Sequence, residues 1–167
     1  MSLSQLRIGH GFDVHRFSEQ YSAEKPLRLA GVTLPDKLSL LAHSDGDVVL
    51  HAVCDAILGS VGEGDIGTHF PDTDAAWANA DSVNLLRQVL TLACNKGVAP
   101  SNVDITVVSQ IPKLAPHRQA LVARLADLLN LQSDQVNLKA TTTEGLGYTG
   151  RKEGIACHCV VLMAPFA

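Results

Sequence analysis

Residues 6–15 read LRIGHGFDVH, a strand-like stretch that runs into a polar end at Asp13-Val14-His15. Successive side chains of an extended chain point to opposite faces, so Asp13 and His15 share one face. Outward from it, residues 27–34 read as a short hairpin turning near Ala30-Gly31. Ser44 is placed to cap a helix, with Asp47 three residues later as an acidic variant of the capping box. That helix runs to about Ser60, where Gly59, Gly62 and Gly64 stop it. Residues 64–74 form a polar loop, and Asp81 or Ser82 caps a second helix that runs through Lys96 and closes at Gly97. Residues 103–110 read as a strand. Pro116 opens a third helix to Asn130. A strand over 136–142, a Gly-rich loop over 143–154 and a largely apolar strand over 155–163 complete the chain.

This order mixes strands and helices without strict alternation. It predicts an α/β (α+β) two-layer sandwich, with three helices packed on one face of a mixed β-sheet. The last strand is apolar on both sides, so the other sheet face also needs a cover, and a partner subunit is the simplest one. No linker divides the chain, and residues 1–167 are expected to form a single domain.

Hydrophobic residues make up 46% and charged residues 18%, the composition of a globular chain rather than a disordered one. Aromatics reach only 4%, so the core must rest on Leu, Val, Ile and Ala. A net charge of -4 argues against a sequence-independent nucleic-acid binder, which needs a basic footprint. It leaves phosphate ligands open, because a bound metal or a local Lys supplies positive charge. Cys54, Cys94, Cys157 and Cys159 form no C-x-x-C pair and read as free thiols, the last two as small buried hydrophobes on one strand face. The start of the chain lacks the long apolar segment of a secretory signal, and no run approaches transmembrane length. A soluble, cytoplasmic protein of bacterial type is the expectation, a plastid location being set aside only because the sequence as given shows no transit peptide.

His51 falls on the first predicted helix, one turn from Asp47 and from Asp55. With Asp13 and His15 it makes two imidazoles and a carboxylate, a common catalytic zinc set that leaves a fourth position open. Manganese or cobalt would substitute plausibly. The pattern D-x-H is short and arises often by chance. Two features strengthen it here: His43, Ser44, Asp45, Asp47, His51 and Asp55 crowd one stretch, and metal-bound imidazoles normally have such polar partners.

Phosphate-facing features lie elsewhere. The loop 62–67 is rich in backbone amides, although it is neither a P-loop nor a dinucleotide fingerprint, and alone it reads as an ordinary turn. Thr141, Thr142 and Thr143 end a predicted strand and offer three hydroxyls, and Glu144 is suited to a hard cation such as magnesium. Lys113 is either a phosphate counter-charge or a solvated surface residue. From these residues a zinc hydrolase acting on a phosphoester is served equally well, and a metal-storage or scaffold protein is the non-enzymatic alternative.

Five segments discriminate further: HGFDVH at 10–15, AHSDGDVVLH at 42–51, GDIG at 64–67, FPDTD at 70–74 and KATTTE at 139–144. In this order they resemble the 2-C-methyl-D-erythritol 2,4-cyclodiphosphate synthase family of the non-mevalonate isoprenoid pathway, from about Arg7 to Met163. The resemblance implies a homotrimer with active sites between neighbouring subunits and sheets facing the three-fold axis. It implies a lyase that cyclises 4-diphosphocytidyl-2-C-methyl-D-erythritol 2-phosphate and releases CMP. It implies zinc on Asp13, His15 and His51, with Asp13 and His15 also next to the substrate, and magnesium on Glu144. His43 and Thr142 match the positions that steady the transition state, and Ser44 the 2-phosphate region. Asp65, Ile66 and Gly67, with Phe70, Pro71, Asp72, Thr73 and Asp74 nearby, match those that hold the methylerythritol. Lys113, Leu114 and Ala115 match the nucleotide loop of the adjacent subunit, and Thr141 and Thr143 add phosphate contacts beside Glu144. Tyr148 stands where many relatives carry Phe. His158 stands where some carry Glu facing the trimer axis, where a residue like Arg151 binds an isoprenoid diphosphate in parts of the family. Whether this chain keeps that axial ligand is open.

Overall fold

Residues on one side of the first strand face a long helix, and those on the other side do not. The computed structural model describes residues 5–77 and 79–166, so the expectation for residues 1–4 lies outside it. Strand β1 is Arg7–Phe17, two residues longer than anticipated at its end because Arg16 and Phe17 pair with Leu41 and Leu40 of the two-residue strand β4. The hairpin at 27–34 is present as β2 (Arg28–Leu29) and β3 (Val32–Thr33). Its turn has φ 53° at Ala30 and 75° at Gly31, the left-handed pair of a type I′ turn.

Strands β5 (Val98–Val108), β6 (Val136–Thr141) and β7 (Gly154–Pro165) complete a sheet of order β4-β1-β7-β5-β6. β7 is antiparallel to both neighbours, and β5 and β6 run parallel. A parallel pair needs a crossover, and helix α4 (Arg118–Leu129) supplies it. β5 starts five residues before the anticipated Val103, with the pairing irregular between Pro100 and Asn102. A proline cannot donate to the ladder and is confined to such breaks.

Helices α1 (Val48–Ser60), α3 (Ser82–Asn95) and α4 form the anticipated helix layer. α1 lies on β1 and β7, α3 on α1 and β5, and α4 on β6. Ile155, Cys157, Cys159, Val161 and Met163 of β7 point into this layer fully buried, with Leu50, Ile57 and Leu58 of α1 against them in one core. Each such large side chain contributes about 1.5–3 kcal/mol over leaving it in water. The opposite sheet face leaves Ile8, Phe12, Val14 and Val160 exposed.

Three local expectations are corrected. Asp47, not Ser44, caps α1: its carboxylate accepts from Leu50 N–H at 3.1 Å and also from Ala30 and Gly31 N–H at 2.9 and 2.6 Å. One buried acid thus closes the helix end and clamps the hairpin turn, while Ser44 accepts the Gly46 N–H in the loop before it. Burial pushes the Asp47 carboxyl above its ordinary value, against those three N–H groups. α4 begins after Pro116 and its cap His117, two residues later than read. The two loops read as irregular hold single helical turns, α2 (Ile66–His69) and α5 (Gly147–Gly150). Asp65 caps α2 by accepting from Thr68 N–H at 2.8 Å. α3 matches its reading, with Asp81 as cap and Gly97 at φ 80° beyond its end.

Candidate metal centre

Gly9 and Gly11 bring α1 onto β1. A Cβ at Gly9 would stand 1.7 Å from the Ala56 carbonyl oxygen, and one at Gly11 1.9 Å from that of Ala52. The next two residues on that face of β1 are Asp13 and His15, and His51 precedes Ala52 on α1. The close approach therefore delivers the imidazole to the strand. His51 Nδ1 lies 3.0 Å from Asp13 Oδ2 and 3.1 Å from His15 Nε2, and His15 Nε2 lies 3.1 Å from Asp13 Oδ2.

These three atoms form a nearly equilateral triangle. Donors at about 2.0–2.1 Å around a tetrahedral zinc stand roughly 3.3 Å apart, so the set fits one small divalent ion with little adjustment. It is the one cluster of three or more such donors among the described residues. His51 is buried at 8% exposure, whereas Asp13 and His15 are partly open to solvent, so the triangle has a wet side.

The electrostatics suit a cation. Burial by itself raises the Asp13 carboxyl, but hydrogen bonds and charge from His15 and His51 outweigh it and hold the group well below the usual carboxylate range. Burial lowers His51, but its hydrogen bond with Asp13 and the charges of Asp13, Asp47 and Asp45 carry it above the ordinary imidazole value. On the far side of the ring, His51 Nε2 lies 2.9 Å from Ser82 Oγ and 3.2 Å from Ser44 Oγ. Sequence reasoning took Ser82 only as a helix cap. It is 31 residues from His51 in the chain, and no spacing rule connects the two.

The other candidate residues fall into separate groups. Asp65, Ile66 and Gly67 form the start of α2, which Ile66 ties to α1 by donating to Asp55 Oδ1 at 2.7 Å. Burial raises the Asp55 carboxyl. Phe70 packs edge-on against Trp77 at 4.9 Å, and Pro71 to Asp74 make the exposed turn between them. His43 is exposed in the loop before α1. Lys113, Leu114 and Ala115 line a cleft of about 340 Å³ with Thr141 and Thr142, and Leu114 is buried at 4% exposure. Thr142, Thr143, Glu144 and Tyr148 line another of about 620 Å³ with Phe12 and His158. Thr142 Oγ1 donates to Glu144 Oε1 at 2.6 Å. Arg151 is exposed and paired with Glu153 at 2.7 Å.

Strand register fixes how far apart these groups lie. Val14, Ala156, Val108 and Thr141 stand in one row across the sheet. Thr141 is thus three strand spacings from the metal triangle's strand, roughly 14 Å at about 4.8 Å each. Within one chain the metal set and the Thr-Glu set share an end of the sheet and do not touch.

The profile of the YgbB family matches residues 6–164. Among curated relatives, the 2-C-methyl-D-erythritol 2,4-cyclodiphosphate synthase of Shewanella denitrificans is 59% identical over 159 residues, covering 95% of this chain and 97% of that one. That of Aliivibrio salmonicida is 55% identical over 158 residues, with 95% and 97% covered. The structure is similar to the Plasmodium falciparum IspF CDP complex at a TM-score of 0.84 and 36% identity, covering 99% and 100% of the two chains. It also matches the bifunctional IspDF of Campylobacter jejuni at a TM-score of 0.90 and 46% identity, spanning 42% of that longer chain. On this match over nearly its whole length, the chain belongs to the YgbB family, the family of the 2-C-methyl-D-erythritol 2,4-cyclodiphosphate synthases.

Proposed function

We propose that this chain cyclises 4-diphosphocytidyl-2-C-methyl-D-erythritol 2-phosphate to the 2,4-cyclodiphosphate with release of CMP, using Asp13, His15 and His51 to hold a divalent ion. The observation that carries the reading is the 3.0–3.1 Å triangle of one carboxylate and two imidazole donors in a chain of this family. The CDP bound by the Plasmodium falciparum relative supports a cytidine diphosphate group on the substrate.

The 2-phosphate oxygen attacks the β-phosphorus of the diphosphate while the bond to CMP breaks. Nucleophile and target belong to one molecule, so positioning supplies much of the rate. Zinc, with manganese or cobalt as substitutes, supplies a Lewis acid for phosphate oxygen when bound. Asp13, His15 and His51 would hold that charge, and the side of the triangle open to solvent would face the substrate. Ser44, whose hydroxyl borders the same ring, binds the 2-phosphate region, and His43 beside it steadies the developing charge with Thr142. Glu144 would hold magnesium, which would supply countercharge to the diphosphate. Asp65, the α2 backbone at Ile66 and Gly67, and the turn from Phe70 to Asp74 receive the methylerythritol. Lys113, the backbone at Leu114 and Ala115, and Thr141 and Thr143 receive the nucleotide end, with Tyr148 nearby.

Because the Lys113–Thr141 group and the metal triangle lie roughly 14 Å apart in one chain, the complete site is formed between neighbouring subunits of a homotrimer. The exposed Ile8, Phe12, Val14 and Val160 on the open sheet face support such a neighbour. No helix among the described residues is long and apolar enough to cross a membrane. The family match over residues 6–164 supports a one-domain enzyme, and the bacterial relatives support a cytoplasmic one. The test is to incubate the purified chain with substrate, zinc and magnesium in oxygen-18 water. CMP and an unlabelled cyclic diphosphate are expected by mass spectrometry, and label in a phosphate-containing product would mark a hydrolase instead.

A further inference from the structure

His51 is the buried member of the metal triangle, and its outward nitrogen leads into a chain of polar contacts. Ser82 Oγ lies 2.9 Å from His51 Nε2 and donates to Asp45 Oδ1 at 2.5 Å. Asp45 Oδ2 is held by Arg28 Nη1 at 3.3 Å, and Arg28 reaches Asp81 at 3.4 Å. The four residues come from three separate segments, β2, the loop before α1 and the start of α3, and converge on one ring edge. Ser82 is fully buried.

The hydroxyl geometry fixes the direction of the chain. Asp45 is a carboxylate next to a guanidinium and acts only as an acceptor, so the single Ser82 proton goes to Asp45. Ser82 Oγ then faces His51 with lone pairs, and Nε2 must be the donor. In the neutral ring that binds a cation, Nδ1 is then the nitrogen without a proton, and Nδ1 is the one turned to Asp13 and His15.

We propose that Asp45, acting through Ser82 and anchored by Arg28, is a positioning group for His51 that holds Nε2 protonated and Nδ1 free for the cation. This rests on the metal reading above. Ser44 Oγ at 3.2 Å from Nε2 is the weaker acceptor. With the ring proton taken by Ser82, the Ser44 hydroxyl proton is left for another oxygen. Partners of metal-bound imidazoles usually set ring orientation and basicity, and losing one typically weakens metal binding roughly 10–100-fold.

Asp45 also accepts from Ser82 N–H at 3.2 Å, so a purely structural role at the start of α3 is the competing explanation. Ser82→Ala keeps that backbone contact and removes only the hydroxyl. Zinc affinity, measured by competition with a chromogenic chelator on folded protein, is expected to fall about 10–100-fold in Ser82→Ala. Ser82→Thr, which keeps the oxygen, is expected to stay close to the unaltered chain. In the zinc-loaded unaltered chain the His51 Nε2 proton should give a solvent-protected resonance. Wild-type zinc affinity in folded Ser82→Ala, or a rapidly exchanging Nε2 proton, would overturn the proposal while leaving the triangle intact. His51→Ala binding zinc as tightly as the unaltered chain would sink the metal reading itself, and this proposal with it.

Discussion

Gly11 and Ala52 meet backbone to backbone: a Cβ on the glycine would stand 1.9 Å from the alanine's carbonyl oxygen. The contact sets the height of α1 over β1, and His51 rides on that height. Gly11→Ala must push the helix away, because a carbonyl in a helix has no rotamer to yield. Overpacking of this kind costs about 1–3 kcal/mol. Zinc affinity should fall with it, since the triangle edges lengthen. Urea unfolding and a zinc titration on the same variant check both, and unchanged values in the two would contradict the geometry.

His51→Ala removes one vertex of the triangle from a residue at the edge of the core. Zinc affinity should drop by more than the roughly 100-fold that loss of an outer partner can cost, and turnover should vanish. The circular dichroism spectrum should persist. Metal analysis showing stoichiometric zinc in that variant would exclude His51 as a ligand.

The shifted groups give the metal-free and zinc-loaded chains opposite pH trends. His51 is raised above its ordinary value near 6.5 when folded. Its contribution to the metal-free fold is therefore present below about pH 6.5 and lost as pH rises through the folded value. Zinc needs the neutral ring, so its affinity grows over that same rise. Asp13, held low, is already ionised there and adds no slope. Thermal unfolding between about pH 6 and 8.5, with and without zinc, should show the metal's stabilising effect increasing with pH. A constant or shrinking effect would argue that no proton leaves His51 on binding.

Glu144→Gln should separate the two cation sites. Glu144 is not among the clustered donors of the triangle, so zinc content should stay at the level of the unaltered chain. Turnover should fall at limiting magnesium and partly recover at high magnesium. Loss of zinc from this variant would place Glu144 in the wrong site.

Thiol chemistry offers a check of the packing. Cys54, Cys157 and Cys159 are buried, and burial pushes all three thiols up, while Cys94 is exposed. A chromogenic disulfide at pH 8 should titrate one of the four cysteines in the native chain and all of them after unfolding. Two or more fast thiols in the native state would contradict the buried face of β7.

Much of this was legible without coordinates, for reasons of periodicity. The alternation of β1 puts Asp13 and His15 on one face, the run at 155–163 reads as a largely apolar strand, and Asp81 and Gly97 bracket α3. The motif order from His10 to Glu144 pointed to the family before any distance was known. Capping was misread where one residue serves two elements. Ser44 and Asp47 both suit a helix start, and only the hairpin turn that needs Asp47 decides between them.

What the chain alone determined, then, is that Asp13, His15 and His51 offer one carboxylate and two imidazoles, a set whose chemistry suits a small divalent cation. Tertiary structure alone decided that they converge, because convergence depends on Gly9 and Gly11 admitting the α1 backbone, and it alone brought Ser82 to His51 from α3. Local periodicity specifies which face a side chain takes. It carries no information about how closely two elements separated by some forty residues approach, which excluded volume and burial settle only when the whole core is packed.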